Sequence, residues 1–288
     1  MDKFEQYNRI KVQAENKVKI GGIVAIIGAL LMIAGMTVTT VLAVIAIIAG
    51  LTYAIIGFSA FSSLGKQFKV EVLTDLVGTF VDNGRFDPNR GLSQGDVYAT
   101  EFLKRADRFH TEDFLSGSMD GVNFESSDVK LEERHVEHTK NGTRTYYETY
   151  FLGRVFIFDF NKAFEGYLQV LEKGRPVKNR GYNKVKLESI DFNKKFKTYA
   201  TSDHSAFYVL TPHFMEALMD FEKNNRGKIS FSFLDTKLYI GINNFRDTFE
   251  LRMFRPLDQR IFDEFKRDLL VIKEVITELR LNNNIFKK

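Results

Sequence analysis

The residues best equipped for chemistry lie side by side in TYATSDHSAFYVLTPHFMEAL, positions 198–218, where Ser202, Asp203, His204 and Ser205 bring a nucleophile, an acid and a base within four positions. A serine hydrolase needs those groups to converge from separate segments, with the acid orienting the imidazole. In an extended chain Asp203 and His204 point to opposite faces, and the sequence has no G-x-S-x-G elbow. The stretch reads instead as a polar turn over 202–205 leading into a strand-to-helix junction. Thr211 suits the N-cap and Pro212 the first helical position, while Leu210 and Met215 can form a hydrophobic staple. Leu210, Thr211, Pro212 and Met215 are therefore a structural signature rather than a catalytic one, with Phe214, Leu218 and Phe221 as the buried stripe that follows.

No other motif builds a better site. His135-x-x-His138 would suit a metal on a helix, but on a strand positions i and i+3 face opposite ways, and His135 is expected opposite Glu148 as a surface pair. Asp87-x-Asn89-x-Gly91 resembles the start of a calcium loop, yet Leu92 stands at the required glycine and Tyr98 at the bidentate glutamate. The chain has no cysteine, which removes disulfides, thiolate nucleophiles and cysteine zinc sites. There is no P-loop and no dinucleotide fingerprint. The expectation is no catalytic residue, no cofactor and no metal.

The segment LEKGRPVKNRGYNKVK, positions 171–186, carries Lys173, Arg175, Lys178, Arg180, Lys184 and Lys186 against the single acid Glu172. Such a loop can touch anionic headgroups, at about 1 kcal/mol per basic residue near the surface, or an acidic partner; it can equally be a solvated connection between strands. Nucleic acid is disfavoured, because only Tyr182 is interleaved for stacking and the net charge of +4 over 288 residues is mild.

The elements that must position these residues begin with an apolar stretch. Positions 20–61 contain no Asp, Glu, Lys, Arg or His; as one helix they would run about 63 Å, roughly twice the hydrocarbon thickness of a bilayer. The run must fold back, and the break falls at Gly35-Met36-Thr37-Val38-Thr39-Thr40. Two spans follow, 20–35 and 41–61, the first short enough for Lys19 to snorkel. Arg9, Lys11, Lys17 and Lys19 precede the first span and Lys66 and Lys69 follow the second, which places both termini on the cytoplasmic side. No A-x-A-like site closes the first run and a second run follows, which speaks against a cleaved signal peptide. Gly21, Ala25 and Ala29 on one span and Ala46, Gly50 and Ala54 on the other form small-residue ridges that can pack the spans together or support oligomerisation.

Beyond the hairpin, Phe68, Val72, Leu76 and Phe80 repeat at helical spacing. Asp82-Asn83-Gly84 ends that helix, 86–89 makes a turn, and a second helix is expected over 94–105 with Val97 and Phe102 inward. From about Asp113 the pattern becomes strand-like. Asp120-Gly121 and Asn141-Gly142 signal hairpins, the latter placing Val136 opposite Tyr147 and Leu131 opposite Leu152. Asp235-Thr236 as a third loop pairs Phe233 with Leu238 and Phe231 with Ile240. The residues around Val185, Phe196 and Phe207 also alternate like strands. A charged segment, 258–281, carries the stripe Ile261, Phe265, Leu269, Ile272, Ile276 and Leu279, closed by Asn282-Asn283-Asn284. The class is α+β: an N-terminal segment (1–19), a two-helix transmembrane hairpin (20–61), a juxtamembrane helical segment (62–112), and a cytoplasmic antiparallel-sheet domain with flanking helices and a long C-terminal amphipathic helix (113–288), open to comparison with a pleckstrin-homology fold.

LESIDFNKKFKTYATSDHSAFYVLTPHFMEALMDF, followed by GKISFSFLDTKLYIGI, resembles the core signature of DUF3137, a family of bacterial membrane proteins of unknown function. FDPNRGLS, RFHTEDFLSGSMDGVNFESSDV and YFLGRVFIFDFNKAF agree with its layout, so the resemblance covers roughly 68–254, and the two spans match it as well. Ser205 and Phe207 stand where many members carry an acid and an Arg, so no charge-based role transfers to that stretch. The resemblance implies a bacterial inner membrane, with LemA-like membrane proteins as neighbours, and supplies no catalytic residue.

Three readings remain open. The favoured one is a membrane-anchored binding or scaffold module whose partners are the lipid bilayer, an anionic lipid or a membrane protein such as a LemA-like one. The alternatives are a membrane-anchored enzyme and a sensor of a small ligand or lipid headgroup. An enzyme requires converging polar side chains with a strongly shifted pKa; a scaffold requires an apolar or charged surface without that convergence.

Overall fold

The structure, a computed structural model, describes residues 3–33, 37–140, 142–178 and 181–281. Side chains at positions 3–4, 37 and 160–165 lie outside that description. By compactness the chain forms two units, one of residues 3–72 with Phe249–Phe265, the other of Leu73–Thr248 with 266–281. The segment 249–265, counted on sequence with the cytoplasmic domain, thus packs with the N-terminal helices.

The first unit is a helical hairpin. Helix α1 spans Lys3–Ile33 and α2 spans Thr37–Phe80; the expected break at Gly35 and Met36 falls outside the described residues. Both helices are long and apolar enough to cross a membrane. At about 66 Å by helix rise, α2 exceeds what a bilayer needs, and the Phe68–Phe80 repeat continues it without interruption. The helices meet along a seam of small residues: Gly57 against Ala14, Gly21 against Ala54 and Gly50, and Gly28 against Ala43 and Ile47. Ala14, Gly21 and Gly28 recur every seven residues, as do Ala43, Gly50 and Gly57, the period of a left-handed antiparallel pair. Four of the six expected ridge residues, Gly21, Ala25, Gly50 and Ala54, lie in the seam, but Gly28 and Ala43 take the places given to Ala29 and Ala46. A spacing of four drifts off a two-helix seam, whereas seven stays on it. The outer faces remain open, with Ile26, Ile33, Ile45, Ile55 and Phe58 all more than half exposed.

Among the described residues, the second unit is built on one seven-stranded antiparallel sheet. Its elements in chain order are β1 (Asp82–Asp87), α3 (Gln94–Ala99), β2 (Arg108–Met119), β3 (Val122–Thr139), β4 (Gly142–Leu171), β5 (Asn183–Val185), α4 (Ile190–Lys195), β6 (Lys197–Ala200), α5 (Asp203–Val209), α6 (Pro212–Asn224), β7 (Lys228–Asn243) and, from Lys266 onward, α7 (Gln259–Glu278). The order is β1-β2-β3-β4-β6-β5, with β7 also paired to β4. The central strand β4 is 30 residues long and, over 151–158, buried on both faces. Phe156 and Phe158 join one core with Phe231, Phe233, Leu218, Phe221 and the later part of α7, while Val155 and Ile157 join a second with Val97, Val129 and Leu131. This explains the near-continuous apolar run around position 155, which alternation alone does not assign to one face.

The Asp120-Gly121 hairpin forms as expected: Met119 pairs with Val122, and both loop residues have positive φ (50° and 79°), as a type I′ turn requires. The second hairpin also forms, in a different register, since His138 pairs with Thr143, Arg134 with Tyr147 and Leu131 with Phe151. The third does not form. Residues 228–243 are the single strand β7, in which Phe233 pairs with Leu168 and Leu238 with Phe158. Asp235 takes a left-handed φ of 52° at a register shift, so the parity of inward residues flips without the chain turning. A two-residue loop and a bulge produce the same alternation, and the length of β4 decides between them.

Three shorter elements also differ from expectation. Residues 82–87 form a strand on β2 where a helix end and turn were expected. Helix α3 stops at Ala99, because Glu101 adopts φ 58° just past the C-cap. Residues 203–209 are helical rather than extended: Ser205, Ala206 and Val209 face inward, a helical spacing, and Phe207 faces out. The C-terminal stripe is buried at Phe265, Leu269, Ile272, Ile276 and Leu279; its expected Asn282–Asn284 stop lies outside the described residues.

Candidate binding surface

The Leu210-Thr211-Pro212 junction is mechanical. Thr211 Oγ1 accepts from the Phe214 amide at 3.4 Å, Pro212 opens α6, and Leu210 and Met215 are buried in the same core. Upstream, Ser202 caps α5 by accepting from the Ser205 amide at 3.5 Å, while Asp203 and His204 are exposed in the first turn. This geometry is a cap, and it does not assemble a triad. His135 stacks on its cross-strand partner Tyr146, with centroids 5.2 Å apart, and reaches Glu148 diagonally at 3.2 Å. The expected surface pair thus forms despite the register difference. His138 bonds Thr143 at 3.0 Å, and among the described residues no cluster of three metal-ligating side chains forms.

The basic segment leaves the end of β4 and returns through β5 at the sheet edge. Its six cations do not act alike. Lys178 is used internally: it pairs at 3.0 Å with Glu101, a carboxylate only 1 % exposed, which also accepts from the Tyr182 hydroxyl at 3.1 Å. The Val177 amide bonds the Glu101 carbonyl at 3.2 Å, so the loop is pinned at its middle. Arg180 lies outside the described residues. Lys173, Arg175, Lys184 and Lys186 are exposed and form no ion pair among the described residues. Lys184 sits in the edge strand β5 opposite Tyr199, where a lysine also discourages edge pairing. The Glu101 anchor gave no local signal in the sequence, since its partners lie more than 70 residues away.

A second polar assembly is fully interior. Arg154, in the middle of β4, donates to Asp128 at 3.1 Å, Thr248 Oγ1 at 2.6 Å, the Asp113 carbonyl at 3.0 Å and Ser126 Oγ at 3.3 Å. Asp128 also accepts from the Thr248 amide at 2.6 Å. Arg154 and Asp128 are each 3 % exposed. This satisfied network fixes β2, β3, β4 and the residues after β7 to one another. A charge within the apolar run YFLGRVFIF was the sequence signal for it, because a buried guanidinium demands partners.

Several groups have perturbed acidity. Burial raises the hydroxyl pKa values of Tyr150 and Tyr239. Glu274 and Glu278, on α7, are held above the ordinary carboxylate value mainly by burial, Glu278 also by the charges of Glu274 and Asp220. Asn225 and Asn224 donate to them at 3.2 and 3.3 Å.

Comparison with known proteins agrees with the resemblance read from the sequence. Residues 149–281 match the model of the DUF3137 family, a protein of unknown function. The match takes in the Leu-Thr-Pro junction, β7 and α7, while the earlier FDPNRGLS and RFHTEDF stretches lie outside it. No curated protein matches. Among solved structures, the mycobacterial trehalose monomycolate transport factor A, TtfA, is similar over 72 % of this chain and 93 % of its own, at 9 % identity and a TM-score of 0.37; so remote a likeness carries no functional inference.

Proposed function

We propose that this chain is a membrane-anchored binding module: a two-span helical hairpin in a bacterial inner membrane, both termini cytoplasmic, carrying a sheet domain that engages a membrane-associated partner. The observation that carries the reading is the contrast within the hairpin. Its inner faces close on each other through glycine and alanine, while its outer faces expose Ile, Leu, Val and Phe along both helices. An apolar outer surface on a pair whose inner seam is already satisfied calls for lipid. Exposed Arg9, Lys19 and Lys66 at the end away from the turn support a cytoplasmic location for that end.

On the basic loop of the sheet domain, Lys173, Arg175, Lys184 and Lys186 are available to an acidic partner, such as an acidic face of a LemA-like membrane protein. The test is site-specific photocrosslinking in cells, with the crosslinker at Lys173 or Lys184 of the full chain. A single defined product, lost when Arg175 and Lys186 are changed to Glu, supports the reading. Crosslinking no stronger than from Lys194, an exposed site beside Asp191, removes the binding surface from it.

A further inference from the structure

We propose that the irregular strap before α7, residues 250–256, is an interfacial anchor whose Phe254 enters the headgroup–acyl boundary and whose Arg252 and Arg255 bind the phosphates of anionic phospholipid. The proposal rests on the membrane reading above and adds a lipid-binding site to it.

The strap is fixed on α1 by two nearly inaccessible charges. Lys11 and Glu15, 2 % and 7 % exposed, pair with each other. Lys11 Nζ donates to the Arg255 carbonyl at 2.6 Å, and Glu15 Oε1 accepts from the Phe254 amide at 2.8 Å. Both bonds go to the strap's backbone, leaving its side chains free to point elsewhere. Glu15 precedes Ile20, the first residue of the charge-free run, by five positions, about 7.5 Å along the helix. The strap is therefore held about one and a half turns from the start of the apolar surface.

Phe254 occupies that level with its ring turned outward. It is 51 % exposed, in a left-handed backbone conformation (φ 62°) that a phenylalanine adopts only at a cost. Its ring lies 5.0 Å from Lys19 Nζ, the last charge before the run. Phe249, the residue just before the strap and also left-handed (φ 56°), is buried. Burial is thus available to a phenylalanine in this segment, yet Phe254 is held away from it by Glu15 and Lys11. A ring at the edge of an exposed apolar belt, beside a lysine, is in the position interfacial aromatics occupy.

The flanking charges complete the site. Arg260 is engaged by Asp258 at 2.5 Å, and Glu250 is engaged by Lys69. Arg252 and Arg255 are exposed and form no ion pair among the described residues. Both line a cleft of about 290 Å³ together with Arg260 and the carboxylates Glu250, Asp258 and Glu264, of which Glu250 and Asp258 are already paired with Lys69 and Arg260. A guanidinium takes a phosphate bidentately, and each cation near an anionic surface is expected to add about a fivefold preference over neutral lipid. Continuity with the apolar belt beginning at Ile20 and Ile23 selects a bilayer as the source of that phosphate.

The chain has no tryptophan, so Phe254→Trp in the full-length protein is a single reporter. It would be reconstituted in phosphatidylcholine vesicles with and without phosphatidylglycerol, with Ile27→Trp as the reference inside the first span. The expected result is blue-shifted emission at position 254, quenched by lipids brominated near the glycerol end and less by those brominated near the chain end. The quenching should strengthen several-fold with phosphatidylglycerol and lose that gain in Arg252→Gln/Arg255→Gln. Water-like, unquenched emission at 254 with Ile27→Trp quenched overturns this inference alone. Quenching at 254 that ignores phosphatidylglycerol overturns the phosphate site. Absence of quenching at both positions overturns the membrane reading itself. As the chain also lacks cysteine, a polarity-sensitive dye on Arg252→Cys gives an independent reading should Phe254→Trp misfold; an aqueous signal in anionic vesicles counts against the proposal.

Discussion

Replacing Gly50 by alanine should weaken the hairpin, whereas the same change at Gly22 should not. A Cβ at Gly50 would stand 2.6 Å from both the Ala25 amide nitrogen and the Gly21 carbonyl oxygen. Against the 3.4 Å at which ordinary contact begins, that is a shortfall of 0.8 Å, and both neighbours are backbone that no rotamer change can move. The helices must separate along the seam, with an overpacking cost of about 1–3 kcal/mol. Alanine recovers roughly 0.5–1 kcal/mol of helix propensity, so Gly50→Ala should lose about 1 kcal/mol net and Gly50→Leu about 3 kcal/mol or more. Gly22 has nothing within 4 Å of its Cβ position, so Gly22→Ala keeps only the gain. The assay is thermal unfolding of the full chain in micelles, followed by helical circular dichroism. Equal melting temperatures for Gly50→Leu and the parent, or equal damage from Gly22→Ala and Gly50→Ala, would refute the seam.

Other outcomes follow from the same reasoning. Arg154→Met leaves the Asp128 carboxylate buried without its cation and should cost about 3–5 kcal/mol in chemical denaturation; Arg154→Met/Asp128→Leu should recover part of that, and no recovery would mean the pair is not the coupled unit described. Thr211→Ala removes the α6 cap and should cost about 1 kcal/mol, measured as faster amide exchange at Phe214; unchanged exchange would show that Pro212 suffices. Glu274 and Glu278 are held above the ordinary glutamate value of 4.5, so the folded state binds their protons more tightly than the unfolded one. Their favourable contribution is complete below that ordinary value and is lost as pH rises through the raised values. Glu278→Gln should flatten the fall in melting temperature over that window and raise stability at neutral pH by roughly 0.2–0.5 kcal/mol, as for a like-charge pair at i,i+4; a steeper fall would contradict the assignment.

The α+β class was legible because its signals are local. The charge-free run 20–61, the Asp120-Gly121 turn, the Thr211-Pro212 cap and the α7 stripe each depend on neighbours within one element. The misreadings share a cause in partner choice. Residues 228–243 alternate as a hairpin would, and only the length of β4 makes them one strand. Residues 203–209 alternate weakly as a strand, and the burial of Ser205, Ala206 and Val209 makes them a helix. In the seam, Gly28 and Ala43 were visible as small residues, but choosing them over Ala29 and Ala46 required the two-helix period. At the binding surface, charge density marked the basic loop, yet the withdrawal of Lys178 by Glu101 and the anchoring of the strap by Lys11 and Glu15 are long-range contacts. The charges of Arg154, Lys11 and Glu15 were in view throughout, and their burial sets their roles.

The central claim, that α1 and α2 cross a membrane with the sheet domain on the same side as the N-terminus, is tested most directly by thiol accessibility. Single cysteines at Gln6, Val38 and Lys184 in the otherwise cysteine-free chain would be treated with an impermeant reagent in intact spheroplasts and again after permeabilisation. The account predicts labelling of Val38→Cys in intact spheroplasts, and of Gln6→Cys and Lys184→Cys only after permeabilisation. Labelling of Gln6→Cys and Lys184→Cys from outside, or recovery of the chain in the soluble fraction, would contradict it.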